Sequence, residues 1–426
     1  MKVNFVIPPD FFLGDDKRNA PLGTLYVAAM VRDAGYELKI SDLRGIIEND
    51  LVDQLDFDSD VYGFTSSTPS YYTTSNLAKE IKRLNKKALT VLGGIHATSL
   101  PHEIGLEFDK VVVGEGEMSF LQILEDYKNN TNSNKRIYHS SLIENLDSIP
   151  FPARDLIPFD SAFSKDAFFI NGGYAGTIIT SRGCPGNCSF CGSKMIWGRR
   201  TRFRSPDNVL EEIEKVKSNY GIKYFKFYDD TVALKKDRLI ELANGIKSIG
   251  IHWKAATRVD FAGIDVLNMM RQSGCEEVAY GIESLDQEVL DKNNKGITLN
   301  QVYETMRNTK KVGLKSRVYF IVGLPGEKPG FSNRLEKFLD ETNPDAVDIS
   351  TFVAFPGSPI YHNPKKWGIN LKSSEFKDYI MTLGLKNGEL SKNLTFEHDV
   401  LTEEEIKEER AKSIKLIKDR NQVQNF

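Results

Sequence analysis

Three cysteines, Cys184, Cys188 and Cys191, stand close together in the segment TSRGCPGNCSFCGSK. The CxxxCxxC spacing puts three thiolates on one loop, which suits a cubane [4Fe-4S] cluster with three ligated irons and one iron open to another ligand. The alternative is a structural zinc site, which usually takes four protein ligands. Cys275 is predicted at the end of a helix and His252 on a different strand, so neither is an obvious fourth ligand. The spacing therefore favours a catalytic iron-sulfur cluster over zinc.

The composition excludes several other classes of protein. Four cysteines in 426 residues are too few for a disulfide framework. A net charge of -3 without a long basic run favours a small-molecule substrate over nucleic acid or a membrane surface. The apolar stretches are far shorter than the roughly 20 residues of a membrane helix, and the N-terminus predicts a first strand rather than a signal peptide. We therefore expect a cytoplasmic protein.

The elements before the cysteine loop predict a doubly wound parallel sheet, because short β-branched runs alternate with helical patterns. Ligands of such sheets bind at the carboxyl ends of the strands, at a switch point in the strand order. The polar segment 128–145 is predicted to be a linker that carries a short strand. The predicted strands cover residues 3–7, 37–41, 61–65, 88–92 and 110–113, and the predicted helices cover residues 22–34 and 72–84.

A second alternation of strands and helices predicts an open or partial (β/α)6 barrel, with its active site at the C-terminal strand ends. The cysteine loop directly follows the first barrel strand, and Thr402 and Glu405 form a capping box before a C-terminal helix. We predict three regions, 1–145, 146–360 and 361–426. The predicted barrel strands cover residues 177–180, 223–228, 252–257, 276–282, 315–322 and 346–353, and the helices 209–218, 238–248, 264–272, 299–311 and 332–339.

The cysteine loop, with Phe190 before its third cysteine, resembles the signature of the radical S-adenosylmethionine (SAM) superfamily. The resemblance implies that Cys184, Cys188 and Cys191 hold a [4Fe-4S] cluster whose open iron binds SAM. It also implies that reduction of SAM releases a radical, which takes hydrogen from an unactivated carbon. The electron would come from a donor such as flavodoxin or ferredoxin. The protein orients the cofactors and excludes water.

Further candidates for SAM binding lie at the ends of other barrel strands, in FYDD, ATRVD, YGIES and FIVGLPGE. The acids of FYDD could receive the SAM ammonium, the Glu-Ser pair could bind the ribose hydroxyls, and the glycines could let backbone amides approach the adenine. The arginine could bind a carboxylate or form a structural salt bridge. Strand-end acids often only cap helices and LPG is often only a turn. The candidates are Phe190, Asp229, Asp230, Arg258, Glu283, Ser284, Gly323 and Gly326.

The N-terminal region resembles the cobalamin-binding domain of the B12-dependent radical SAM family in four segments: NAPLGTLYVAAMVRDAGYELKISDL, DVYGFTSST, VLGGIHAT and VVVGEGE. A corrin is a flat disc fringed with amides, so its site requires small strand-end residues, backbone donors and hydroxyls. The alternative is an ordinary doubly wound domain that binds another nucleotide or nothing. The candidates for cobalamin binding are Thr65, Ser66, Ser67, Thr68, Gly93, Gly94, His96, Gly114, Glu115 and Gly116.

His96 is a candidate axial ligand of cobalt. The sequence has no DxHxxG, the pattern through which methionine-synthase-like domains place a histidine beneath the metal, and the radical SAM branch usually lacks it too. A neutral histidine hydrogen-bonded to the backbone is the alternative. Glu115 and Glu117 could accept protons from corrin amides or seal a contact between domains.

The resemblance implies a cobalamin-dependent radical SAM enzyme, whose commonest chemistry is methyl transfer to an unactivated carbon. Oxidative cyclisation, ring contraction and rearrangement use the same cofactors and stay open. A rival of another class is a cobalamin-binding regulatory protein with a vestigial barrel, against which the intact cysteine spacing argues. No cysteine precedes Cys184, which excludes a sulfur-inserting methylthiotransferase. Substrate specificity is predicted in the segments 153–174 and 367–398.

Overall fold

The computed structural model describes residues 1–165, 173–372, 375–380 and 394–422. The chain divides into two units, each described by itself. The first comprises Met1–Ser164, Gly192–Gly198 and Glu375–Tyr379, and the second Lys165–Cys191, Arg199–Ser374 and Ile380–Phe426. The boundaries predicted after residues 145 and 360 stay a prediction. Of the predicted specificity segments, residues 166–172, 373–374 and 381–393 lie outside the described residues.

The first unit contains a six-stranded sheet. Its strands are Lys2–Ile7 (β1), Glu37–Asp42 (β2), Val61–Thr65 (β3), Leu89–Gly93 (β4), Lys110–Val113 (β5) and Ile137–His139 (β6). All neighbours pair in parallel, in the order β2-β1-β3-β4-β5-β6. The chain changes its direction of winding between β1 and β3, which makes that crevice the switch point. The predicted parallel, doubly wound sheet is confirmed.

Helices cover both faces of this sheet, as the apolar runs of its strands require. They are Leu22–Asp33 (α1), Tyr71–Leu84 (α2), Gly94–Ser99 (α3) and Gly116–Lys128 (α4). Tyr62 and Phe64 of β3 pack in one core cluster with Leu77 of α2. Phe5 of β1 packs in the other with Phe120 of α4.

The polar segment 128–145 carries the short strand that the sequence predicts. Its short strand β6 joins the sheet beside β5. Lys110 Nζ donates hydrogen bonds to the carbonyl oxygens of Ser133 at 2.9 Å and Lys135 at 2.6 Å. Tyr138 donates to the Asp126 carboxylate at 2.9 Å. These bonds satisfy polar groups that a solvent-exposed linker would leave to water.

The second unit contains a seven-stranded sheet in the order β15-β14-β13-β12-β11-β8-β7. The strands from β7 onward are Ser164–Lys165 (β7), Tyr174–Ile178 (β8), Ser181–Arg182 (β9), Arg202–Phe203 (β10), Tyr224–Phe227 (β11), His252–Thr257 (β12), Cys275–Glu283 (β13), Lys315–Val322 (β14), Ala346–Thr351 (β15), Ile369–Leu371 (β16) and Phe396–His398 (β17). From β8 to β15 the sheet strands pair in parallel. The predicted partial barrel of six β/α strands is confirmed.

The helices that the sequence predicts after these strands are present, together with short helices that it does not predict. They are Phe159–Ala162 (α5), Ser193–Trp197 (α6), Pro206–Tyr220 (α7), Lys236–Ile249 (α8), Ile264–Gln272 (α9), Gln287–Lys292 (α10), Leu299–Val312 (α11), Phe331–Thr342 (α12), Pro359–His362 (α13) and Glu403–Asp419 (α14). Helices α5 and α6 belong to the first unit, and helices α7 to α14 belong to the second. The predicted capping box of α14 is confirmed, because the Thr402 side chain accepts from the Glu405 amide and Glu405 accepts from the Thr402 amide at 2.7 Å.

Cys275 is the first residue of β13 and is buried, which corrects its predicted place at the end of a helix. Gly274 before it has a φ of +92°, and a methyl group on Gly274 would lie 2.4 Å from the Ile251 carbonyl oxygen. The chain therefore leaves α9 and enters the strand at this glycine. Within the described ranges, none of the helices combines the length and apolar character needed to cross a membrane.

Candidate functional site

The loops that carry the predicted cluster and SAM residues all open at one edge of the barrel sheet. They follow β8, β11, β12, β13 and β14, which are parallel neighbours. Parallel strands place their carboxyl ends at the same edge. The register of the sheet, rather than chain distance, therefore brings these loops together.

The cysteine loop after β8 folds around Gly186. The Gly186 amide donates to Cys184 Sγ at 3.4 Å. A methyl group on Gly186 would lie 3.3 Å from Cys184 Sγ and 3.9 Å from Cys188 Sγ, so the two sulfurs flank this residue. Cys184 and Cys188 are half-buried, and Cys191 is exposed. The loop thus presents three thiols at the surface of the second unit.

In the part of the chain that the structure describes, no three His, Cys, Asp or Glu side chains converge on one metal-ion position. Such convergence is the geometry of a mononuclear site. A cubane cluster instead distributes its protein ligands over separate irons. The three thiols of the loop, two of them beside Gly186, are ligands of the type that such a cluster takes.

Ser189 anchors the cysteine loop to the barrel through Asn293. Its amide donates to the Asn293 backbone carbonyl at 3.0 Å, and its hydroxyl donates to Asn293 Oδ1 at 2.8 Å. The side-chain amide of Asn293 donates in turn to the carbonyl of Pro325 in the LPG turn, at 2.9 Å. The Ile360 amide donates to the Ser189 carbonyl at 3.1 Å. One buried asparagine therefore joins the cysteine loop to the turn after β14.

Glu283 ends β13 in an uncommon backbone conformation, with φ at +72°. The register of β13 against β14 shifts between Gly281 and Glu283, as at a β-bulge, which redirects a side chain. Glu283 Oε1 accepts from Lys295 Nζ at 2.9 Å, and both side chains are largely buried. A positive φ outside glycine costs free energy and is concentrated at functional sites.

Lys295 and Arg258 place positive charge beside the thiols. Lys295 Nζ lies 6.0 Å from the centre of the Phe190 ring. Burial raises the pKa of Cys188, whereas Lys295 and Arg258 lower it. A methyl group on Gly186 would lie 3.6 Å from Arg258 Nη1. Two cations thus favour thiolate at a loop that ligates metal only as thiolate.

Arg258 follows β12 and makes a two-pronged ion pair with Asp260, at 2.9 and 3.0 Å. It also donates to the Gly296 carbonyl at 3.3 Å. The sequence left open whether Arg258 binds a ligand carboxylate or forms a structural salt bridge. The structure shows the salt bridge, and Arg258 also borders the cysteine loop.

The two carboxylates of FYDD have different surroundings. Asp229 is buried and accepts hydrogen bonds from the Thr180 hydroxyl at 2.9 Å and from the Ser181 hydroxyl. Burial raises its pKa, and these hydroxyls and Arg238 offset part of the effect. Asp230 is exposed. Asp229 therefore holds the end of β8 to the end of β11, and Asp230 is the more accessible acid.

The YGIES serine and the glycines of the LPG turn also have internal partners. Ser284 is fully buried and accepts from the Asp286 amide at 3.3 Å. The Gly323 amide donates to the Glu327 carboxylate, with Gly323 at a φ of +87°. A methyl group on Gly326 would lie 2.6 Å from Lys292 Cδ. These positions shape the loops that border the cysteine segment.

Sequence reasoning missed Asn293, Lys295 and Glu327. Asn293 and Lys295 stand in NNKG, which follows YGIES and opens at the same barrel edge. A polar loop placed directly after a predicted site strand could have pointed to them. Glu327 directly follows the LPG turn, where the acid is the only charged residue of FIVGLPGE.

In the first unit, the predicted cobalamin residues lie at the carboxyl ends of β3, β4 and β5. Gly94 has a φ of +90°, and a methyl group there would lie 2.7 Å from Thr65 Oγ1 and 3.0 Å from the Ser66 amide nitrogen. Only a glycine allows this approach of two strand-end loops. The His96 amide donates to the Ser66 carbonyl at 3.2 Å, so Thr65, Ser66 and Gly94 form one packed edge.

His96 is fully buried, with Nδ1 3.3 Å from the Thr68 hydroxyl oxygen. Its ring centre lies 4.2 Å from that of Tyr71 and 4.7 Å from that of Phe376. Burial lowers its pKa to about 4, so the imidazole is neutral at neutral pH. Among the described residues, Nε2 is buried with no hydrogen-bond partner. Such a nitrogen could bind a ligand atom or a metal.

The remaining candidates of this edge divide into open and engaged positions. A methyl group on Gly93 would meet only ordinary contacts, and one on Gly114, at a φ of +81°, would meet nothing within 4 Å. Glu115 is buried and accepts from the Ile143 amide at 2.7 Å. A methyl group on Gly116 would lie 3.0 Å from Val27 Cγ2, between α4 and α1. Open glycines beside a buried, unsatisfied imidazole nitrogen fit a flat ligand with polar edges.

The sequence and fold match known proteins across both units. The model of the Radical SAM superfamily matches residues 178–331, and that of the B12 binding domain matches residues 17–124. An uncharacterized methyltransferase of Pyrococcus horikoshii is 33% identical over 394 residues, which cover 85% of this chain and 82% of that protein. Cytidylyl-2-hydroxyethylphosphonate methyltransferase of Streptomyces wedmorensis is 27% identical, with 72% of this chain and 69% of that protein covered.

Among solved structures, the radical SAM methyltransferase TsrM of Kitasatospora setae, with cobalamin and a [4Fe-4S] cluster bound, is similar in fold. Its TM-score is 0.75 at 16% identity, with 99% of this chain and 90% of TsrM covered. The two family models occur in the predicted order, and the relative from Pyrococcus horikoshii matches across both. The chain therefore belongs to the cobalamin-binding radical SAM enzyme family.

Proposed function

We propose that the chain is a cobalamin-dependent radical SAM enzyme that transfers a methyl group to an unactivated carbon of a small molecule. The observation that carries the proposal is the cysteine loop, which folds around Gly186 at the carboxyl edge of the barrel and is held there by Asn293. A vestigial barrel would have no use for three thiols held in this way. The matches to named methyltransferases support the reaction type.

In this proposal Cys184, Cys188 and Cys191 hold the cluster. When bound, the cluster, SAM and cobalamin supply a reducible iron open to SAM, a source of a carbon-centred radical and a carrier of methyl groups. Lys295 and Arg258 place positive charge beside Cys188 and offset part of the rise that burial causes in its pKa. Asn293 joins the cysteine loop to the LPG turn, so the cluster ligands are held against the end of β14.

We assign SAM binding to the charged and open groups around this loop. SAM has an amino-acid end with one positive and one negative group, and the Glu283–Lys295 pair offers both opposite charges beside Phe190. Asp230 is the exposed acid of FYDD and a second candidate partner of the ammonium group, whereas Asp229 is buried and accepts hydrogen bonds from Thr180 and Ser181. Ser284, Gly323 and Gly326 act by shaping the loops that surround SAM.

We assign cobalamin to the strand ends of the first unit. Gly93 and Gly114 leave room for a flat disc, and the hydroxyls of Thr65, Ser66, Ser67 and Thr68 lie at the same edge. His96 presents a neutral nitrogen without a protein partner among the described residues and is a candidate axial ligand of cobalt. Glu115 accepts a hydrogen bond from the Ile143 amide, and Gly116 packs against Val27, so both help to hold this edge in place. An electron donor such as flavodoxin or ferredoxin and a cytoplasmic location complete the proposal.

The test begins with protein purified and reconstituted without oxygen. Iron, sulfide and cobalt are quantified, and release of 5'-deoxyadenosine from SAM under reductant is followed. The expected result is one [4Fe-4S] cluster and bound cobalamin per chain, with reductive cleavage of SAM. Protein without cluster absorbance and without SAM cleavage would contradict the proposal and favour a regulatory cobalamin-binding protein.

A matched pair of cysteine variants assigns the cluster to the loop. Cys191→Ala is expected to lose the cluster and SAM cleavage, whereas Cys275→Ala retains both because Cys275 is buried at the start of β13. Methyl-labelled SAM then separates the reaction types with any small molecule that accelerates SAM cleavage. Label in the product supports methyl transfer, and unlabelled product points to cyclisation, ring contraction or rearrangement.

A further inference from the structure

Asp10 lies at the switch point of the first sheet and has no role in the assignments above. It follows β1, and Ser67 and Ser70 lie in the loop after β3, the neighbouring strand across that point. Ligands of doubly wound sheets bind in the crevice outside the strand ends at this place. The Asp10 carboxylate is therefore positioned where a bound ligand would pass.

Two serines hold the Asp10 carboxylate in place. Ser70 donates its hydroxyl hydrogen bond to Asp10 Oδ1, and Ser67 Oγ lies 3.4 Å from the same oxygen and 2.6 Å from Ser70 Oγ. Ser70 precedes α2 as its N-cap, where a serine commonly accepts a bond from the first turn of the helix. Here the Ser70 side chain makes no capping bond. The hydroxyl is therefore directed to Asp10 instead of to its own helix.

The backbone also restricts Asp10. Pro8 and Pro9 precede it and are buried, and each proline fixes its own φ. The Leu13 amide donates to the Asp10 carbonyl at 2.9 Å, which closes a turn after the carboxylate. The carboxylate is thus presented by a segment with little freedom, as a preorganised binding group should be.

No cation neutralises Asp10 in the described part of the chain. Arg44 acts on the Asp10 carboxylate only through its charge, because its guanidinium makes two hydrogen bonds with Asp42, at 2.8 and 2.7 Å, and donates to the Asn19 and Ser161 carbonyls. Burial raises the pKa of Asp10, and the Ser70 and Ser67 hydroxyls offset part of that effect. Ser67 and Ser70 both bond to Oδ1, and Oδ2 accepts no hydrogen bond from the described residues, so it is available as an acceptor. A half-buried carboxylate that is held by neutral hydroxyls, with no ion-pair partner among the described residues, is a candidate binding group for a donor on a ligand.

We propose that Asp10, positioned by Ser67 and Ser70, accepts a hydrogen bond from one side-chain amide of the corrin. The chemistry selects this partner, because cobalamin has amide donors around its rim and a phosphodiester in its nucleotide tail. A carboxylate attracts the amide N–H and repels the phosphate. This assignment rests on the proposed function, since it names a contact of Asp10 with cobalamin in the same binding edge.

The test uses the full chain and a set of cobalamin monocarboxylic acids, each with one primary amide hydrolysed. Binding of each compound is measured by titration, alongside cobalamin itself. Wild-type protein is expected to bind one of these acids at least about tenfold more weakly than cobalamin, because two carboxylates would then meet. Asp10→Asn is expected to bind the same acid with most of that loss removed. Asp15→Asn, which alters an exposed acid of the same loop, is the matched control and is expected to behave as wild type.

The outcomes separate the two levels of the proposal. Wild-type protein that binds cobalamin but treats all the acids alike would overturn the Asp10 contact alone, as would a discrimination that Asp10→Asn leaves unchanged. Wild-type protein that binds no cobalamin would overturn the proposed function and this contact with it. Thermal midpoints of the variants identify any loss of folding, and the isosteric Asn keeps the serine hydrogen bonds available.

Discussion

Ser189, between the second and third cysteines, is joined to Asn293 by two hydrogen bonds, one from its amide and one from its hydroxyl. More than a hundred positions separate the two residues in the chain. Asn293 is fully buried, so both bonds are protected from water and gain strength from the low local dielectric constant. The placement of the cluster loop therefore depends on a residue from a different part of the barrel.

Asn293→Ala is expected to loosen the cysteine loop while leaving its ligands intact. Loss of the side-chain bonds to Ser189 and Pro325 leaves buried partners unsatisfied, which costs about 1 to 3 kcal/mol for each group. We expect iron content after reconstitution to fall at least about twofold and SAM cleavage to fall further. The neighbouring Asn294→Gly, exposed and at a φ of +52°, is the control. Equal iron content in all three proteins would show that the anchor is dispensable.

Lys295→Ala is expected to weaken SAM binding more than cluster binding. The substitution leaves the Glu283 carboxylate largely buried without its 2.9 Å partner and removes a cation beside Phe190. We expect the dissociation constant for SAM to rise at least about tenfold, because a cation opposite the SAM carboxylate is lost. Breaking the buried pair should also lower the stability of the fold by roughly 3 to 5 kcal/mol. Equilibrium dialysis with cluster-loaded protein measures this change, with iron content measured in parallel.

Two further variants interpret the Lys295 result. Lys295→Arg keeps the charge and should recover part of the affinity. Lys328→Ala removes an exposed lysine that pairs with Glu288 at 2.6 Å and should leave SAM affinity unchanged. If Lys295→Ala binds SAM as wild type does, Lys295 has only a structural role beside Glu283.

Gly94→Ala is expected to destabilise the first unit by at least about 2 kcal/mol, because alanine is strained at a positive φ. Its methyl group would also lie 2.7 Å from Thr65 Oγ1. Gly23→Ala in α1, where a methyl group meets nothing within 4 Å, should instead gain up to about 1 kcal/mol of helix stability. Urea denaturation of both variants measures the difference. A neutral Gly94→Ala would mean that the β3 and β4 loops can separate without cost.

Glu327 is expected to make stability fall as the pH rises. Burial raises its pKa to about 8, although the Gly323 amide and Arg334 lower it in part. Arg334 Nη2 lies 3.8 Å from Oε1, too far for a hydrogen bond. Between pH 4.5, the ordinary pKa of the group, and the raised value, the folded state keeps a proton that the unfolded state releases. The stabilising contribution is therefore complete below the ordinary pKa and is lost as the pH rises through about 8.

Glu327→Gln removes this proton and its pH dependence. The wild type should lose up to about 1.4 kcal/mol per pH unit over that interval relative to the variant. Denaturation midpoints at several pH values within and above the interval measure the difference. Glu336→Gln, which changes an exposed acid of α12, should retain the wild-type pH profile. Parallel profiles for wild type and Glu327→Gln would show that Glu327 is ionised in the folded protein.

The sequence by itself determined the elements and the chemistry of the cysteine loop. Strand and helix patterns repeat over a few residues, so both parallel sheets and the capping box at Thr402 follow from local order. The CxxxCxxC spacing likewise lies within one loop. Cys275 was misplaced because Gly274, which turns the chain from helix to strand, needs a tertiary contact with Ile251 to reveal its role.

Only the tertiary structure decided which strand-end groups meet. Asn293 contacts Ser189 and Asp10 contacts Ser70 because the parallel sheets bring loops that are distant in the chain to one edge. Lys295 contacts Glu283 because the chain folds back after α10 onto the end of β13. Sheet order and register set these pairings, and a local pattern carries neither. The same packing turned Asp229 inward, although it stands beside Asp230 in the chain. Burial and partner choice are properties of the assembled sheet, whereas element type and motif spacing are properties of the chain.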